Sequence, residues 1–225
     1  MNPRATQPFR FVSCMELREI LGRRAMDEER LLELIEEAPP DSIYYHTHSY
    51  YLRHPYTQGL FPNDFATWAA LHAQDRVLGE RLGMLDPFEF DDIERLRSEI
   101  LTIMEDHLSR LGTNPRSATG EPFEFVRSHV IEADLDMQAW TLWEFRHALR
   151  RVELGAVYNH VCEARLRKGR LPGDFACWLA ADDGLGNPDL AAKVVAVGRR
   201  GLSLEGIRTE IVSLCDQALG SESPT

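Results

Sequence analysis

The feature that most constrains this chain of 225 residues is that it repeats its own order. Pro8-Phe9-Arg10-Phe11-Val12 returns as Pro122-Phe123-Glu124-Phe125-Val126, and Ile43-Tyr44-Tyr45-His46 returns as Val157-Tyr158-Asn159-His160. Further on, Phe61-Pro62-Asn63-Asp64-Phe65-Ala66-Thr67-Trp68 is matched by Leu171-Pro172-Gly173-Asp174-Phe175-Ala176-Cys177-Trp178, and Leu96-Arg97-Ser98-Glu99-Ile100-Leu101 by Ile207-Arg208-Thr209-Glu210-Ile211-Val212. Matches in one order read as an internal duplication. The expected division is a first repeat over 9–108, a Gly-, Asn-, Ser- and Pro-containing linker over 109–122, and a diverged second repeat over 123–219.

Charge divides the repeats. The first carries ten Arg against twenty Asp or Glu, whereas the second carries twelve basic and fourteen acidic residues. So acidic a first half repels phosphate backbones, and nucleic acid is not an expected partner. No apolar run approaches the ~20 residues of a membrane span, and Met1 to Gln7 lacks the apolar stretch of a signal peptide, so the expectation is a cytoplasmic protein with no membrane partner. The four cysteines, Cys14, Cys162, Cys177 and Cys215, form no Cys-x-x-Cys pair and read as reduced thiols.

Each repeat opens with an alternating Phe-x-Phe-Val segment that fits a short strand, although Ser13-Cys14-Met15-Glu16 also matches a capping box. The rest reads as helix. Asp27 caps a segment with the apolar stripe Leu31, Leu34 and Ile35, stopped by Pro39-Pro40. Asp41 or Ser42 caps the next helix, Pro62-Asn63 starts another, and Asp91 opens a long one through Leu96, Ile100 and Met104. The expected class is mainly α, in two tandem pseudo-repeats of helices, each opening with a short β-strand.

The strongest local bias lies between Tyr44 and Tyr56, which holds five of the six tyrosines interleaved with His46, His48 and His54. At ~100° per residue, His46, Tyr50 and Arg53 share one helix face while Tyr44, His48 and Tyr51 take the opposite one. His and Arg recur two turns apart as His160 and Arg167. A metal reading of His46-Thr47-His48 fails on geometry, because neighbours at i and i+2 point ~200° apart, so neither a metal nor another cofactor is expected. Asp64 is either a helix-terminal carboxylate or the acid–base partner of His46, a pairing that Asp174 and His160 would repeat. Arg165 to Arg170 is the basic cluster, suited to a helix terminus or an acidic partner.

Phe11-Val12-Ser13-Cys14-Met15-Glu16-Leu17, Gly22-Arg23-Arg24-Ala25, Ser42 to His48 and the Pro62 to Trp68 block together resemble an uncharacterised prokaryotic family, domain of unknown function 5752. The resemblance covers most of the first repeat and, more faintly, the second. It implies no activity, substrate or cofactor.

The functional expectation is a tandem-repeat binding or regulatory module. Its protein or small-molecule partner meets Tyr44, His46, Tyr50, Arg53 and Asp64, and the acidic first repeat and basic cluster could also meet in a homodimer. The alternative is a hydrolase-like enzyme with His46 and Asp64 as catalytic pair, with or without a metal. The asymmetry between repeats favours binding. Where the first has Tyr45, His48, Tyr50 and Tyr51, the second has Asn159, Cys162, Ala164 and Arg165.

Overall fold

The computed structural model describes residues 4–57, 59–90, 92–111, 120–166 and 168–221. Two long strands, β1 (Arg4–Ala25) and β2 (Phe123–Thr141), pair as a two-stranded antiparallel sheet. The chain is 56% helical and 21% strand, an α/β class, which corrects the expected mainly α chain of tandem pseudo-repeats with short opening strands. The strand core follows the alternation, with Phe9, Phe11 and Ser13 buried in turn on β1 and Phe123 and Phe125 on β2. Beyond those residues the local signals mislead. Leu17, Ile20 and Leu21 carry helical spacing and Ser13 to Glu16 a capping box, yet all lie in β1. Pairing with β2 overrides them, through cross-strand pairs such as Glu19 with Arg127 at 2.7 Å and Arg24 with Glu124 at 2.7 Å.

The compact units do not follow sequence order. One comprises residues 16–130; the other, composite unit comprises residues 1–15 and 131–225. Each strand therefore gives one segment to each unit.

In the 16–130 unit, α1 (Glu28–Glu37) starts at Asp27, whose carboxylate accepts from Arg30 N–H at 2.7 Å. After the Pro39-Pro40 stop, α2 (Pro40–Thr47) begins with Pro39 at the cap rather than Asp41 or Ser42, and the Ser42 hydroxyl donates to Val126 O at 2.8 Å. Helices α3 (Ser49–Arg53), α4 (Asp64–Leu71), α5 (Arg76–Gly83) and α6 (Ile93–Leu111) complete it. Asn63, not Asp64, caps α4, accepting from Ala66 N–H at 2.8 Å. The core joins Leu31, Leu34 and Ile35 to Phe65, Trp68, Ile100 and Met104, with Phe123 and Phe125 of β2. Asp91 and residues 112–119 of the expected linker lie outside the described residues.

The composite unit holds α7 (Leu142–Leu149), α8 (Leu154–Tyr158), a π-helical turn at Asn159–Glu163, α9 (Ala164–Leu166), α10 (Asp174–Ala180), α11 (Pro188–Val197) and α12 (Leu204–Ser221). Thr141 and Glu144 form a capping box at α7. Phe9 and Phe11 of β1 pack against Phe145, 5.5 and 5.6 Å away between ring centres. Helix α12 runs on through Gly220 and Ser221. Among the described residues no helix is long and apolar enough to cross a membrane.

Candidate functional site

In the 16–130 unit the chemistry converges on a buried histidine. His46 Nδ1 lies 2.8 Å from Asp64 Oδ2, and the Val126 N–H donates to His46 Nε2 at 3.1 Å. With Nε2 accepting, the network assigns the ring proton to Nδ1, which donates to Asp64 and leaves the imidazole neutral. Burial agrees, pushing the His46 pKa below its ordinary value against the pull of Asp64. Burial would by itself raise Asp64, but the hydrogen bond from His46 and the charge of Arg53 hold its carboxyl below the usual range. Arg53 Nη2 donates to Asp64 Oδ2 at 2.7 Å and to Tyr45 O at 3.0 Å. Its guanidinium stands 4.2 Å from the Tyr45 ring centre and 5.8 Å from that of Tyr50.

Of the five residues read from the sequence, the structure brings His46, Tyr50, Arg53 and Asp64 together. Tyr44 stands apart, stacked on His48 at 4.7 Å, and His48 Nε2 donates to Pro87 O at 2.9 Å, as the opposite helix face demands. Tyr44, His46 and Tyr50 are buried, while the side chains of Arg53 and Asp64 keep 15% and 21% of their exposure and mark where the cluster meets solvent. Burial raises the hydroxyl pKa of both Tyr45 and Tyr50, so neither supplies a phenolate near neutrality.

The composite unit holds the same arrangement. His160 Nδ1 lies 2.8 Å from Asp174 Oδ2, and the Val12 N–H donates to its Nε2 at 2.9 Å. Asn159 replaces the tyrosine ring and donates to Val12 O at 3.0 Å. Arg170 pairs with Asp174 Oδ1 at 2.9 Å, and Lys168 of the basic cluster pairs with Glu132. Arg167 lies outside the described residues. Beside the pair opens a cavity of about 590 Å³, whose walls include Phe9, Arg10, Glu132, Arg170, Cys177 and Trp178.

These two His–Asp pairs are built as clamps. A general base needs a nitrogen lone pair that a substrate proton can reach, and in both rings one nitrogen donates to Asp while the other accepts from a strand amide. Each clamp ties the strand amide, through the histidine, to the helix that begins at the aspartate, α4 or α10.

The comparisons with known proteins agree with this fold. A family model described as a family of unknown function, DUF5752, matches residues 6–216. The chain belongs to that family. It is similar to the solved structure of OrfY from Thermoproteus tenax, at 26% identity over 96% of this chain and 97% of that one, with a TM-score of 0.79. No curated protein matches.

One constellation in this family member was missed in the sequence. Glu28 at the start of α1, Asp75 capping α5 and His107 on α6 are all buried, with one ligand-capable atom from each within 4.8 Å of the others. His107 Nε2 lies 2.9 Å from Asp75 Oδ2. The signal was present but local: Glu28 extends the stripe of Leu31 and Ile35, and His107 that of Ile100 and Met104, so both stand on core-facing sides.

Proposed function

We propose that this protein is a binding or regulatory module whose small-molecule ligand enters the cavity of the composite unit, beside His160 and Asp174. One observation carries the reading: the His–Asp pair has spent both ring nitrogens on structure, while the space next to it is open and lined with unlike chemistries. Arg10 and Arg170 suit a carboxylate or phosphate group on the ligand, and Phe9 with Trp178 suits an apolar or ring portion. In the 16–130 unit the Tyr45 ring lies under Arg53 beside the corresponding pair.

The test is a thermal-shift and calorimetric screen of small carboxylates and phosphate esters carrying aliphatic or aromatic groups. A ligand should raise the melting temperature of the wild type and bind at least tenfold more weakly to Arg170→Ala and to Cys177→Trp, which fills the cavity. Ligands indifferent to both variants would remove the cavity from consideration. The hydrolase reading, with His46 and Asp64 as catalytic pair, rests on the His–Asp distance alone, and requires ester or amide hydrolysis that Asp64→Asn abolishes without lowering stability.

A further inference from the structure

We propose that Glu28, Asp75 and His107 form a divalent-cation site of the zinc class, joining the first turns of α1 and α5 to α6. Two carboxylates and one imidazole are the donor set that Zn²⁺ and neighbouring first-row ions accept. Their ligand atoms, within 4.8 Å of one another, need only small side-chain adjustments to surround an ion held at about 2.0–2.2 Å from each. The second Asp75 oxygen, Oδ1, accepts from Leu78 N–H at 2.9 Å, which fixes the carboxylate while Oδ2 faces His107.

Burial supplies the energetic argument. Glu28 is 0%, Asp75 1% and His107 6% exposed. Two carboxylates this close in the interior repel one another if both are ionised, and a divalent cation removes that repulsion. The composite unit shows that packing alone does not ask for these residues. After its own N-cap, α7 begins with Leu142 where α1 begins with Glu28, and α11 is capped by the neutral Asn187 where α5 is capped by Asp75. Counting from the matched segments Leu96–Leu101 and Ile207–Val212, Ala218 stands where α6 has His107. The positions matched in sequence thus carry an apolar and neutral set, which singles out the ionisable trio of the 16–130 unit.

The comparison with Leu142 also supplies a variant expected to fold. Full-length protein is stripped with chelator and dialysed, then titrated with ZnCl₂ by calorimetry and by thermal unfolding. The wild type should bind Zn²⁺ saturably near one ion per chain, with a rise in melting temperature of roughly 5 to 10 °C at a hundredfold excess over the dissociation constant. Glu28→Leu and His107→Gln should remain folded by circular dichroism and lose both responses. Co²⁺ in place of Zn²⁺ adds a direct readout, visible ligand-field absorption that disappears in His107→Gln. Absence of saturable Zn²⁺ binding in the wild type, or binding of equal strength in Glu28→Leu, would overturn the proposal and leave the trio as a buried polar cluster.

Discussion

Replacing His46 by Ala measures how strongly the strand is tied to the helices. The imidazole is buried, donates to the ionised Asp64 and receives the Val126 amide. A hydrogen bond to a charged group contributes about 1.5–3 kcal/mol, and leaving the Val126 amide without its acceptor costs about 1–3 kcal/mol. The space vacated among Phe65, Phe123 and Phe125 adds to both. Because these effects share one side chain they are not additive, and the loss should be about 3–5 kcal/mol. Trp68 is the tryptophan of the 16–130 unit, whereas Trp140, Trp143 and Trp178 belong to the composite unit. With those three changed to Phe, urea unfolding followed by Trp68 fluorescence reads the affected unit. A His46→Ala/Asp64→Ala double-mutant cycle then isolates the His–Asp coupling. A single-variant loss below about 1 kcal/mol would mean that water replaces the ring, and the clamp argument would fail.

Trp68→Ala should cost about 3–5 kcal/mol in the same assay, since the indole is 4% exposed and donates to Glu121 O at 3.0 Å; an unchanged midpoint would place the ring outside the core. Gly155→Ala should destabilise despite the usual helical gain from Ala, because its Cβ would meet Cys14 O at 2.7 Å and Ser13 Oγ at 2.8 Å; a stabilised variant in thermal unfolding would show that the strand yields there. His46 has its folded pKa below the unfolded value of about 6.5, so its contribution is complete above that pH and declines as pH falls, while Asp64, also lowered, loses its contribution below about pH 4. Stability measured from pH 8 to 3 should fall in those two windows, with the upper one flattened in His46→Gln. Native-state labelling with iodoacetamide should modify Cys177, the exposed thiol, and spare Cys215, whose pKa burial pushes up to about 12; early modification of Cys215 would count against its placement in the core.

Much of the helical part was legible because its determinants are local. Asp27 caps α1 and the stripe of Leu31, Leu34 and Ile35 enters the core, since capping and 3.6-residue periodicity depend on neighbours a few positions away. Helical phase likewise separated His46 from His48 and placed His46, Tyr50 and Arg53 on one side. What only the tertiary structure decided is what depends on distant partners. The opening segment reads locally both as a short strand and, at Ser13 to Glu16, as a capping box, and it runs on as strand to Ala25 because β2, about a hundred residues away, offers it a ladder. That ladder also decided which core each opening strand serves: Phe123 and Phe125 join the 16–130 unit, and Phe9 and Phe11 the composite unit. The candidate sites follow the same division. Asp64 resembles a cap in sequence, yet Asn63 caps and Asp64 turns to His46 and Arg53. Glu28, Asp75 and His107 meet only because three helices converge, a relation that the spacing of 47 and 32 residues between them does not encode.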